Sequence, residues 1–202
     1  MPRPPRSEYV FPGGTYHVWS RGSNRGVIFI LPGDRVDFLS RFGKAATRHE
    51  WRVLAYCLLT NHYHAVLQIP EGGLSEGMQL LNGTFSRRQS VRYARTAHLF
   101  RNRFGCRRIE RAGDLVGAIR YVLRNPVAAG LCEHPAGWPW SSYRASVGAV
   151  SPPSWLDVPS ILALFREFDP DNPARGLKRF VENRHVQVSD TKTRPNWSSP
   201  EP

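Results

Sequence analysis

The sequence predicts an α+β sandwich in which helices cover an antiparallel sheet. Three observations predict it. Strand-like and helix-like stretches follow in the order strand, helix, strand, strand, helix, strand, helix. Two apolar, β-rich runs, residues 51–59 (WRVLAYCLL) and 62–69 (HYHAVLQI), are separated only by Thr60-Asn61 and therefore pair as a hairpin. The 202 residues are 41% hydrophobic and 22% charged, enough for one globular domain with an appendage.

The elements follow in chain order. Residues 1–13 hold four prolines and read as a flexible lead. Residues 15–20 (TYHVWS) are a short strand that runs into the turn RGSNRG. A helix begins near Gly33, because Val36, Leu39 and Phe42 share a face and Asp34 suits a helix N-terminus. The hairpin ends at Pro70, Gly72 and Gly73. A helix over 74–93 places Leu74, Met78, Leu81 and Phe85 together, although Gly77 and Gly83 weaken it. Residues 99–110 are a basic extended segment. A further helix runs over 115–124 and is expected to stop at Asn125-Pro126, since proline disfavours a helical residue before it. Two short helices are expected over 155–168 and 173–185. The domain plan is a lead over 1–13, a main domain over 14–148, a helical extension over 149–188 and a disordered tail over 189–202.

Composition narrows the function. No run of 18 apolar residues is present, so no membrane span is expected, and the N-terminus lacks the apolar stretch of a secretory signal. The three cysteines are scattered and form no CxxC, so neither a disulfide scaffold nor a cysteine zinc site is expected. A reducing, cytoplasmic setting follows. Lys and Arg number 28 against 16 Asp and Glu, a net charge of +12. Most of the cations are arginine, whose planar fork fits phosphate and stacks on bases. Nucleic acid is the natural partner and membrane is not.

Two local patterns carry chemistry. His62 and His64 flank one residue in a strand, so both imidazoles stand on one face and can converge on a metal ion. The alternative is a pair of core histidines bonded to backbone or side chains. Tyr121 and Asn125 are four residues apart on a helix, so a phenol and a carboxamide project together. The alternative there is a core aromatic followed by a helix cap. Combined, the patterns suggest a phosphodiester attacked by tyrosine, with a divalent cation neutralising the non-bridging oxygens. Magnesium prefers oxygen ligands, so Mn²⁺ is as good a candidate as Mg²⁺.

At these residues the chain resembles a known family. YHVWSRGSNRGVIF, NHYHAVLQIP, HLFRNRF, RYVLRNPVAAGL and WPWSSYRA occur in register over about residues 15–145 and resemble the single-tyrosine transposases of the HUH endonuclease superfamily, in particular the REP-associated tyrosine transposases. The resemblance implies a ferredoxin-like or RRM-like antiparallel sheet with packed helices and a short helical C-terminal extension. It implies that His62 and His64 are metal ligands, that Tyr121 is the nucleophile, and that Asn125 stands where relatives present a third polar ligand. It implies single-stranded DNA with hairpins of palindromic repeats as substrate, cleaved and rejoined through a 5′-phosphotyrosine. A monomer or a homodimer is compatible with it, and a nucleoid-associated location follows. Tyr63 should face away from the histidines and is not the nucleophile.

Candidate DNA contacts are Arg21, Asn24 and Arg25 in the first loop, Arg87 and Arg88 on the second helix, and Arg101, Arg103, Arg107 and Arg108 in the basic segment. Phe100 and Phe104, interleaved there, belong to the core, and Trp138 and Trp140 pin the following segment to it. His17 is either near the site or a satisfied core histidine. Two rival functions are a catalytically silent nucleic-acid-binding regulator of the same fold, and a metal hydrolase that uses water.

Overall fold

The computed structural model describes residues 10–183. The first nine residues of the expected lead, residues 184–188 of the expected extension and the expected tail lie outside them. Strand β1 (Gly14–Arg21) is followed by α1 (Pro32–Arg48), β2 (Arg52–Leu58), β3 (His62–Ile69), α2 (Leu74–Tyr93), β4 (Gly105–Ile109) and α3 (Ala112–Ala128). Short helices α4 (Tyr143–Ser146) and α5 (Val158–Ala163) and the longer α6 (Pro173–Glu182) complete the described chain. The four strands form one antiparallel sheet in the order β2-β3-β1-β4, the split βαβ arrangement of ferredoxin-like folds.

Alternation divides the sheet into two faces. Tyr16, Val18, Tyr63, Ala65 and Leu67 are buried on the face covered by α1 and α2. Phe38 of α1 lies 4.7 Å from Tyr63 between ring centroids, and Phe29, Phe38 and Phe85 form an aromatic knot with centroids 5.1–5.5 Å apart. The Tyr63 hydroxyl donates to Asn82 of α2 at 2.7 Å, so Tyr63 faces away from its histidine neighbours as expected. Helix α3 covers the other face. Sandwiched between two layers, β2 is buried from Val53 to Leu58 and shows no polar alternation. Gly77, which weakened the α2 reading, is where that helix meets Trp51: a Cβ there would lie 2.3 Å from the indole.

The start of α1 is fixed by one carboxylate. Asp34 is fully buried and accepts from the N–H groups of Ile30 and Leu31, at 2.9 and 2.8 Å. Gln89, Arg92 and Tyr93 at the end of α2 donate to the same carboxylate. Two helix ends 55–59 residues apart in sequence thus meet on a single side chain.

Helix α3 corrects one expectation. It does not stop at Asn125-Pro126 but continues to Ala128, with Pro126 inside its last turn. Proline removes one backbone donor and crowds the preceding turn. Burial of Val122, Leu123, Asn125 and Pro126 offsets that cost, and the freed end is closed by Ala129 N–H to the Asn125 carbonyl and Leu131 N–H to the Pro126 carbonyl. Of the two late helices, the first spans only Val158–Ala163 and the second ends at Glu182.

Trp138 and Trp140 do pin their segment. The Trp138 indole N–H donates to the Leu58 carbonyl at 2.9 Å, and Leu58 N–H donates to the Trp140 carbonyl at 2.9 Å. The buried Arg35 guanidinium sits over both indoles, 5.8 and 5.6 Å from their centroids. Helix α6 packs on α3 through Leu177, Phe180 and Val181. Arg120 and Arg124 of α3 donate to the carbonyls of Phe180, Val181 and Asn183 at its C-terminal end, where cations are favoured.

Candidate active site on the α3 face of the sheet

The register places the site. Trp19 stands opposite His64 and Arg21 opposite His62. On the other side of β1, His17 stands opposite Arg107 and Trp19 opposite Gly105. His17, Trp19, Arg21, His62, His64 and Arg107 therefore share one face, with α3 above it.

Onto this face α3 projects Tyr121. Its ring stands edge-on to His17 and to His64, with centroids 5.6 and 5.4 Å apart. One turn later, Asn125 comes near His62 and opposes the fall in its pKa. The two pairs read from the sequence, His62 with His64 and Tyr121 with Asn125, come together in one place. The rings of His62 and His64 are 5.1 Å apart and nearly perpendicular.

Hydrogen bonds orient both imidazoles. His62 donates from Nδ1 to Asn61 Oδ1 at 2.7 Å, which leaves Nε2 with its lone pair. His64 Nδ1 lies 2.9 Å from His17 Nε2. The His64 Nε2 atom is buried and has no hydrogen-bond partner among the described residues. A buried polar atom left without a partner is costly, so a ligand for it is expected. Burial and the charge of Arg21 push the His62 pKa down to about 4, against the opposing effect of Asn125. Burial, then His17, His62 and Arg21, push His64 well below the usual histidine range. Burial and Arg107 push His17 down to about 3. All three are neutral at neutral pH, the form in which imidazole binds metals.

The residues present fit a divalent cation. Two neutral imidazoles offer nitrogen donors, one of them an orphaned buried atom, and the Asn125 carboxamide adds an oxygen beside them. Among the described residues no three His, Cys, Asp or Glu side chains converge as a metal site. His17 turns its Nε2 to His64 and so stands behind the pair rather than within it.

The arginines separate by face. Arg21 and Arg107 lie on the site face, and their charges act on the histidines. Asn24 and Arg25 form an exposed turn with φ of 51° and 57° beside the β2–β3 hairpin, where Asn61 Nδ2 donates to the Arg25 carbonyl. Arg101 is tied by its N–H to the Arg21 carbonyl, and Arg101 and Arg103 are exposed before β4. Arg87 and Arg88 are exposed on α2, against the opposite face. Arg108, opposite Tyr16, also points there and lies over the Phe11 ring. These three are not brought to the histidines.

Sequence reasoning left His17 outside the site set. It is both a buried core histidine, 4% exposed, and a direct neighbour of His64 and Tyr121. The available signal was its place on the same-face alternation of the first strand, but only the β1–β3 register joins it to His64.

Comparison with known proteins decides the family. The model of the family "Transposase IS200 like" matches residues 11–125, more than half of the chain. The chain belongs to the IS200-like transposase family. The matched span runs from the lead into β1 through to Asn125 and so includes His17, both histidines of β3 and Tyr121. Among curated relatives, this IS200-like protein is 25% identical over 137 residues to a Haemophilus influenzae protein assigned as a REP-associated tyrosine transposase, covering 62% of this chain and 78% of that one. Among solved structures it is similar to a REP-associated tyrosine transposase bound to a REP hairpin, with a TM-score of 0.63 and 21% identity, covering 75% of this chain and 89% of that one. That likeness shows the fold, an α+β sheet with C-terminal helices. No helix among the described residues is long and apolar enough to cross a membrane.

Proposed function

We propose that this IS200-like transposase is a metal-dependent transesterase that cleaves and rejoins single-stranded, hairpin-bearing DNA of palindromic repeats through Tyr121. One observation carries the reading: the Tyr121 ring is packed edge-on against His64, with Asn125 near His62 one helical turn away. Nucleophile and ion ligands are thereby held on rigid elements, which converts the attack into an intramolecular one.

The Tyr121 oxygen attacks the scissile phosphorus. The bond from phosphorus to the 3′ oxygen breaks, a 5′-phosphotyrosine forms, and the proton lost by the phenol is balanced by the one gained at the 3′-hydroxyl. Rejoining is the reverse step with a 3′-hydroxyl as attacker, so no nucleotide triphosphate is consumed. His62, His64 and Asn125 would hold the ion, Mg²⁺ or Mn²⁺. When bound, the cation acts as a Lewis acid on the non-bridging oxygens. His17 engages His64 Nδ1, which would leave His64 Nε2 to bind the ion. Arg21 and Arg107 add positive potential along the strand, as do Arg25, Arg101 and Arg103 at the adjoining loop end, where Asn24 adds a neutral hydrogen-bonding side chain. Arg87, Arg88 and Arg108 serve only DNA that wraps to the far face. The main domain over 14–148 carries the chemistry, and α6, in the described part of the extension over 149–188, braces α3.

The testing experiment is a denaturing gel of the protein with labelled hairpin DNA and Mn²⁺ or Mg²⁺. A protein–DNA adduct that needs the cation and is lost in His62→Ala supports the proposal. Hairpin binding with no adduct or cleavage under any cation would favour the silent regulator.

The role of His17 has its own readout. His17→Ala is expected to weaken Mn²⁺ binding by about 10–100-fold, the usual effect of removing the group that orients a ligating histidine. Electron paramagnetic resonance of free Mn²⁺ measures this without DNA. Unchanged Mn²⁺ affinity would make His17 a packing residue only.

A further inference from the structure

Beside the proposed nucleophile lies an aromatic surface that this mechanism does not use. Trp19 is partly exposed on the site face, between His64 on β3 and Gly105 on the edge strand β4. Its indole lies across Gly105, where a Cβ would come within 2.2 Å of the ring. Only glycine leaves the edge strand bare enough for a flat-lying indole at this position. The rings of His64, His17 and Trp19 follow one another with centroids 5.0 and 5.1 Å apart and interplanar angles of 18° and 32°. Trp19 and Tyr121 both touch the His17 ring, at 5.1 and 5.6 Å, so they are separated by one side chain. Arg21, two residues along β1, and Arg107, diagonal on β4, share the face with Trp19.

We infer that Trp19, laid over Gly105, is a stacking platform for the nucleobase next to the phosphate that Tyr121 attacks. The inference rests on the reading that this chain acts on single-stranded DNA. Its chemistry is that of single-strand recognition: an aromatic face accepts a base of any identity, and guanidinium groups on either side take the flanking phosphates. A base held there fixes the sugar–phosphate backbone one nucleotide from the phenol and so selects which phosphate is presented. A tryptophan buried only for packing needs neither a bare glycine beneath it nor a place between two cations and a reactive phenol.

The test uses the full chain carrying Tyr121→Phe, so that no chemistry intervenes. The probe is a DNA hairpin with an oligothymidine single-stranded flank, along which a single 5-iodouracil is moved one position at a time. Ultraviolet cross-linking at one position should map to the peptide containing Trp19. Trp19→Leu should then weaken binding about ten-fold and Trp19→Phe about three-fold or less, as expected for loss or retention of one stacked base. An abasic site at the cross-linking position should weaken the Trp19 protein by the same factor and have little further effect on Trp19→Leu. Gly105→Ala, which displaces the indole, should reproduce the Trp19→Leu affinity. Unchanged affinity in Trp19→Leu, or an abasic effect that adds fully to it, overturns the platform. Melting temperatures of the variants identify any that have unfolded, and Gly105→Ala with its abasic-site comparison carries the test if Trp19→Leu has. Absence of a covalent adduct in the protein that retains Tyr121, with cross-linking intact in Tyr121→Phe, would defeat the tyrosine mechanism and leave the platform standing.

Discussion

Tyr121→Phe is expected to abolish the covalent protein–DNA adduct and to lower cleavage by at least about 10³-fold, the scale seen when a nucleophile is removed. Hairpin affinity should change by less than about three-fold, because the substitution removes one oxygen and keeps the ring that packs on His17 and His64. The two readouts together separate three mechanisms. If tyrosine attacks, the adduct and the cleavage disappear together while binding persists. If water attacks, cleavage survives in Tyr121→Phe and no adduct forms in either protein. If the chain only binds, neither protein cleaves. His62→Ala should lose the adduct as well, but by weakening cation binding, so excess Mn²⁺ should partly restore it. No concentration of cation should restore Tyr121→Phe.

The largest effect on stability is expected at Asp34, far from this chemistry. Its carboxylate is fully buried and is shared by the N-terminus of α1 and the end of α2. Burial alone would raise its pKa; the bonds from Leu31 N–H, Gln89, Tyr93 and Arg92 outweigh it and leave the pKa below the usual value. Asp34→Ala removes all of these at once and should cost about 3 kcal/mol, or a fall in Tm of about 10 °C. Asp34→Asn keeps one acceptor and should cost less. The pH dependence has a definite sign. The folded pKa is depressed, so the stabilisation is complete above the unfolded value of about 4 and is lost as pH falls through the folded one. Urea unfolding from pH 7 down to pH 3 should show stability dropping in the wild type and much less in Asp34→Asn. Parallel pH profiles in the two proteins would refute the role given to this carboxylate.

Much of the site was legible in the sequence because its partners are close in the chain. His62 and His64 lie on one face by strand alternation, and Tyr121 and Asn125 on one face by helical repeat. Such spacings are local geometry and survive any tertiary arrangement. The end of α3 was not legible in this way. Asn125-Pro126 reads as a stop, yet the helix runs on to Ala128, because burial of its last turn outweighs the local penalty of proline. Arginine presented the reverse difficulty. Arg87, Arg88, Arg107 and Arg108 look alike in sequence, but the sheet places Arg107 beside His17 and Arg108 towards α1 and α2, while Arg87 and Arg88 stand exposed on α2 itself. Arg120 and Arg124 close the end of α6 through carbonyls about 60 residues away.

The sequence by itself determined the element order, the antiparallel hairpin, the basic character and the two short-range pairs of candidate site residues, since propensity, alternation and charge act over a few residues. The tertiary structure alone decided that the two pairs meet, that His17 stands behind His64, that Trp19 lies over Gly105, and that Asp34 joins α1 to α2. Each of those contacts spans tens of residues and depends on strand register, and register is set by which apolar face the whole sheet buries.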